Sequence, residues 1–343
     1  MHRFIRILVI LVASGTFLPP LRAADASRPV TVKLSTILPV GTSGHQRLME
    51  LRDRWQQQSG QSVKLTVYPG SGDGEVQIVK KVRAGQLQAA LVSAVGLAEI
   101  DRSVTCLQIM PMMFRDWAEV DHVREQVRGE LEARLRRKGF EVLFWADAGW
   151  VRYFSKTAAV HPSDFKSLKM FVWTGEPEQV TILRALGFQP VGLETDQILP
   201  SLSTGMIAAL PVPPFLANAL QYNRYAGHMV DLNWVPIVGA AIVRRDTWEK
   251  IPAPLRAELL QTAEATGRKI RQRGREEDAE SIVAMQKRGL VVHGVSPEIA
   301  AEWRAVAEGA YAQIRGNVVP ADLFDRVRAE VAAYRATHSQ PIP

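Results

Sequence analysis

From Val30 onward the apolar positions fall into two alternating periods. Val30 to Leu38 reads as a strand, and Gly44 to Gln58 sets Leu48, Leu51 and Trp55 at helical spacing before Gly60 stops it. Val63, Leu65 and Val67 alternate as in a half-buried strand. Glu75 to Arg83 then reads as a helix, Gln88 to Ser93 as a buried strand, Trp117 to Lys138 as a long helix and Phe140 to Ala146 as another strand. Such alternation predicts an α/β fold with a largely parallel sheet covered by helices. Later, a helical pattern runs from about Pro254 to Arg288 with no proline after its start, on the order of 50 Å at about 1.5 Å per residue. That length exceeds one small domain, so the helix is expected to span two lobes.

No internal repeat or low-complexity linker marks a boundary. The chain is expected to cross between lobes near Gly149 and again near Pro236, giving 27–149 with 237–280 as lobe I and 150–236 with 281–338 as lobe II. The ligand cleft would lie between them, and a hinge of this kind implies opening and closing around a solute.

The first residues change the expected compartment. His2, Arg3 and Arg6 precede a short apolar run, Ile7 to Val12 with Phe17 and Leu18, which Pro19 and Pro20 break before small residues at Ala23, Ala24 and Ala26. The run is too short for a membrane span of about 20 residues and reads as a removed signal over 1–24. The mature chain is expected to be soluble in the periplasm. Its one cysteine, Cys106, is far from the cleavage region, which excludes an N-terminal lipid anchor and any intramolecular disulfide.

Composition excludes little else. Loss of Arg3, Arg6 and Arg22 takes Lys+Arg from 42 to 39 against 35 acids, and the formal charge from +7 to +4. That excess is too weak to argue for nucleic acid. The cluster Arg134, Arg136, Arg137 and Lys138 is interleaved with Glu130 and Glu132, as on a solvated helix face.

Catalysis has no visible carrier. The histidines His45, His122, His161, His228, His293 and His338 are scattered without a metal-binding spacing, no G-x-S-x-G elbow occurs, and Cys106 sits in an apolar run. No metal and no cofactor is expected. The loop Tyr68 to Glu75 carries G-S-G-D-G between a strand and a helix, the setting of an anion cradle. It matches neither the P-loop nor the dinucleotide fingerprint, so a tight turn and a cleft-lining loop both stand.

The segment Phe165 to Pro214 combines an LK-x-x-V strand, a helix ending in RALGFQPV, a second helix carrying LSTG and a proline-rich strand exit. In this it resembles the extracytoplasmic solute-binding proteins of TRAP transporters, and the resemblance extends over nearly all the mature chain, including GLAEIDRSVTCLQIMPMMFRDWAEVD. It implies a two-lobe periplasmic binding protein, type II-like, with crossing strands and a long bridging helix. It further implies capture of a small solute, without chemistry, for delivery to membrane permease subunits driven by an ion gradient. In that family the glycine-rich loop borders the cleft, which brings in Glu75, and His45 opens the first helix facing it.

Three departures bear on the solute. Phe171 stands where the family has a carboxylate-pairing arginine, and Val151 replaces the arginine of a G-x-R strand, with Arg152 one step later. Ala208 to Pro213 is apolar where the family is polar. Because strand side chains alternate, Arg152 should point away from the cleft unless a bulge intervenes. With Trp150, Trp173, Pro213, Phe215 and Trp234 near the expected walls, these departures predict a hydrophobic or aromatic solute, with Arg152 meeting any polar end. They also resemble a divergent subgroup with a periplasmic partner of TPR repeats. Presentation of a ligand to a sensor and a two-lobe periplasmic enzyme are the alternatives.

Overall fold

The computed structural model describes residues 28–70, 74–174 and 177–338. The expected signal segment and the centre of the glycine-rich loop lie outside them. Elements β1 (Val30–Thr36), α1 (Ser43–Gln58), β2 (Val63–Tyr68), α2 (Glu75–Arg83), β3 (Ala89–Ser93) and α3 (Ala94–Ala98) open the first lobe. A 3-10 turn, Arg102–Leu107, leads to α4 (Trp117–Arg137) and β4 (Phe140–Trp150). The second lobe follows with β5 (Arg152–Ser155), α5 (Pro162–Lys166), β6 (Lys169–Trp173), α6 (Pro177–Ala185), β7 (Gln189–Leu193), α7 (Thr195–Thr204), β8 (Ala209–Val212), α8 (Pro214–Ala219) and β9 (His228–Val230). The chain returns through β10 (Pro236–Arg244), α9 (Arg245–Trp248) and α10 (Ala253–Gln286), and ends with β11 (Val291–His293), α11 (Pro297–Ile314) and α12 (Ala321–Thr337).

The sheet orders are β2-β1-β3-β10-β4 and β11-β9-β5-β8-β6-β7. Neither is wholly parallel. β10 runs antiparallel to β3 and β4, and β5 antiparallel to β8 and β9. The reason is the connection: each strand enters its sheet from the other lobe, reversed relative to strands that follow a helical crossover.

Helix starts follow side-chain capping. Thr42 accepts from His45 N–H at α1, and Asp116 from Glu119 N–H at α4. The apolar face of α1, with Leu48, Leu51 and Trp55 buried, lies against β1, β2 and the first half of α10, where Trp55 Nε1 donates to Leu259 O at 3.0 Å. Gly267 of α10 is so close to Phe144 that a Cβ there would come within 2.6 Å of it. The bridging helix, 34 residues and about 51 Å long, thus beds on β4 first. Further along it packs on α8, where Asn218 Nδ2 donates to Ser281 Oγ at 3.4 Å.

The last helix departs from the expected division of the chain. α12 packs Leu323, Phe324, Val327 and Val331 into the core that α4 shares with the first sheet, and Arg335 pairs with Glu119 at 2.7 Å. Residues 321–338 therefore complete lobe I rather than lobe II. α11 lies on lobe II through Trp303 and Ala307, and its end reaches the lobe I core through Ala310 and Ile314.

Candidate functional site

Both crossings run side by side. β4 turns at Gly149, whose φ of +85° is a left-handed conformation that glycine takes without strain. Val151 N–H then donates to Val235 O at 2.9 Å, and Trp234 N–H to Val151 O at 3.1 Å. A cavity of about 600 Å³ opens beside this pair of strands, between the two sheets and against α10.

Seven of the expected residues line it: Glu75, Val151, Phe171, Trp173, Pro213, Phe215 and Trp234. Phe171 is 1% exposed; it packs among Leu193, Ile198 and Val212 and meets the Trp173 ring edge-on at 4.8 Å. It is mainly a core residue that reaches the cavity wall, whereas Trp173 is more open.

Three expected residues are elsewhere. Trp150 packs against Trp117 in a tilted arrangement, ring centres 5.0 Å apart, within the core of lobe I. Arg152 turns to the other face of β5, as strand alternation dictates, and pairs with Asp231. His45 accepts from Gly41 N–H through Nδ1 in the turn before α1, and does not line the cavity.

Charge in the lining is mostly acidic. Glu75 accepts from Ser93 N–H at 2.8 Å, Ser93 Oγ at 2.5 Å and Gly96 N–H at 3.1 Å, tying α2 to the start of α3. Burial raises its carboxyl above the usual range against those three bonds. Asp147 contributes to the wall, but its carboxylate is fully buried under Arg275 at 2.7 Å. Glu277 takes Ser43 Oγ. Among the described residues Lys80 is the one lysine or arginine that lines the cavity. Gln108, whose Oε1 accepts from Val238 N–H at 3.2 Å, presents its amide on the same wall.

The lips of the cleft are close. Arg102 of lobe I pairs with Glu178 of α6 at 2.7 Å, and a Cβ on Gly74 would lie 3.7 Å from Glu194 Oε2 across the mouth. This closed arrangement carries more contact across the cleft than an open, empty hinge would show.

Sequence reasoning missed two clusters. β9 and β11 pair in parallel and set His228 Nδ1 3.0 Å from His293 Nε2, an adjacency that only the sheet topology reveals. Asp278 of α10, only 6% exposed, reaches the turn at Gly149; a lone acid in a charged helix gives no signal of burial. Among the described residues no group of three or more His, Cys, Asp or Glu side chains is placed to hold a metal. Cys106 is buried, which pushes its thiol up to about 12, so it carries no thiolate chemistry.

Two α/β lobes crossed twice, backed by one helix and facing each other across a cavity define a clamshell. The chain belongs to the bacterial extracellular solute-binding protein family 7, whose profile matches residues 34–317. It is 24% identical over 98% of its length to the C4-dicarboxylate-binding periplasmic protein DctP of Rhodobacter capsulatus, covering 99% of that protein. A TRAP periplasmic solute-binding protein of Ralstonia eutropha H16 with bound (S)-2-acetolactate superposes with a TM-score of 0.81 at 19% identity, covering 89% of this chain and 99% of that one. One from Sulfurospirillum deleyianum with bound succinate gives 0.78 at 20%, covering 87% and 98%. The chain is therefore a binding protein and not an enzyme. The molecules bound in those structures are carboxylates, which runs against the expected hydrophobic solute. Nothing in these findings supports a TPR-repeat partner.

Proposed function

We propose that this chain is the exported solute receptor of a TRAP-type secondary transporter, and that it captures a small organic monocarboxylate with an apolar body for a membrane permease. The observation that carries the solute class is the cavity's balance: one lysine, Lys80, and no arginine among the described residues, in a lining whose other charged residues are acidic, with Trp173, Phe215 and Trp234 on its walls. Lys80 is the partner for one carboxylate, aided by the Gln108 amide. A second carboxylate would find no second lysine or arginine among the described residues and would face the like charges of Glu75, Glu99 and Glu194, which disfavour it. An apolar body gains roughly 25 cal/mol per Å² of surface buried against the aromatic walls. The expected signal over 1–24 supports export, and among the described residues no helix is long and apolar enough to cross a membrane.

Thermal-shift titration tests this, because a ligand that binds only the folded state raises the melting temperature. Benzoate-like and branched 2-oxo monocarboxylates are expected to raise it more than succinate or malate at equal concentration. Lys80→Ala is expected to abolish that difference, and micromolar binding of C4 dicarboxylates by the unaltered protein overturns the proposal.

A further inference from the structure

Asp278 lies where α10 leaves lobe I for lobe II. Earlier on the helix, Arg271 donates to Trp145 O at 2.6 Å and Gly274 lies against Asp147 O, both on β4; later, Ser281 and Arg288 bond Asn218 of α8. Between these two beds the Asp278 carboxylate takes one N–H from each side of the crossing. Oδ1 accepts from Phe215 N–H at 3.2 Å, and Oδ2 from Trp150 N–H at a long 3.5 Å. Phe215 is a wall of the cavity, and Trp150 follows the left-handed glycine at which β4 turns. Gly149 is pressed against the same carboxylate, since a Cβ there would stand 2.7 Å from Oδ1.

We propose that Asp278 is a positioning residue for solute capture: its carboxyl group seats the Pro213–Phe215 wall and the Gly149 turn together when the cleft is closed, and coupling to a proton makes that seating dependent on pH. The proposal rests on the solute-receptor reading above, because it presumes that the lobes open and close.

The charged groups around Asp278 are few. Arg152 faces it from β5, but Arg152 is itself paired with Asp231 beyond β9, and Glu277 adds a like charge from the same helix. From β4 and α8 it receives the two N–H donors. Burial dominates: loss of water pushes the carboxyl up to about 6, against the opposing effects of the Phe215 N–H, the Arg152 charge and the Trp150 N–H. A carboxyl whose value is raised in the closed form favours that form while protonated. If opening returns Asp278 to water, where the ordinary value is 3.8, closing takes up a proton, and the closed form loses ground as pH rises from about 4 through about 6.

The experiment uses spin labels at Gln86→Cys and Ser203→Cys, one exposed position on each lobe, with the buried Cys106 left unlabelled. Interlobe distances are read without ligand at about pH 5 and about pH 7.5. In the otherwise unaltered chain the closed-to-open ratio is expected to fall by about tenfold between those values, which is what the two carboxyl values imply. Asp278→Asn keeps the shape without a titrating proton and is expected to lose that dependence, while Asp278→Ala, lacking both acceptors, is expected to broaden the distances at both pH values. Melting temperatures confirm that each variant folds, and the asparagine variant carries the test if the alanine one does not. Lobes that move with the same pH response in Asp278→Asn overturn the role of Asp278 alone. A single distance in every sample, with no second population, overturns the closure reading on which it rests.

Discussion

Phe171 shows how a residue is read at two levels. Its place in the LK-x-x-V strand leads to the expectation that it stands at an arginine position of the family, and the cavity wall does include it. Its burial, at 1% exposure among Leu193, Ile198 and Val212, is invisible to that reasoning, because periodicity in a five-residue strand does not say how deep a side chain sits. Arg152, expected to meet a polar end of the solute, instead lies on the face away from the cavity, the face that strand alternation favours. Phe171→Arg is consequently expected to act on stability before it acts on ligand choice. An unpaired guanidinium in that apolar cluster costs about 3–5 kcal/mol, which urea unfolding reads as a lower midpoint at unchanged slope. A variant as stable as the parent would mean that the side chain reaches water through the cavity.

At the scale of elements, the helices and strands up to β4 were legible, and strand direction was not. α1, α2, α4 and the long α10 follow from spacing and stop signals, since each buries one stripe over several turns. The reversed direction of β5 and β10 was not legible, because a strand's apolar pattern is the same in either direction and only its connection sets its sense. The return of α12 to lobe I was missed for a related reason. Its buried residues, Leu323, Phe324, Val327 and Val331, announce an amphipathic helix without naming the surface it covers. Leu323→Ala is expected to cost about 2–5 kcal/mol by leaving a cavity under α4, and protease cleavage of lobe I segments should rise with it. Cleavage confined to lobe II would contradict the packing.

For the whole molecule, the two-lobe plan was legible in the crossing strands and the bridging helix, and the receptor role came with the family resemblance. The solute does not. It depends on which side chains of distant segments converge, and here convergence leaves Lys80 of α2 as the cavity's cation while the arginines are drawn into ion pairs elsewhere, Arg275 with Asp147 and Arg152 with Asp231. A lysine at the mouth was not among the residues the sequence brought forward, because the family resemblance directs attention to arginines. The acidic residues that line the cavity with it are the basis of the monocarboxylate proposal.

The most direct test of that claim is to identify, by mass spectrometry, the small molecule carried by the protein purified under native conditions, before and after prolonged incubation at ambient temperature. A single organic acid with one carboxylate and an apolar body, bound in equal amount to the protein and recovered unaltered, is the predicted result. A C4 dicarboxylate, an uncharged hydrocarbon, or a product accumulating at a rate that depends on the protein would contradict it.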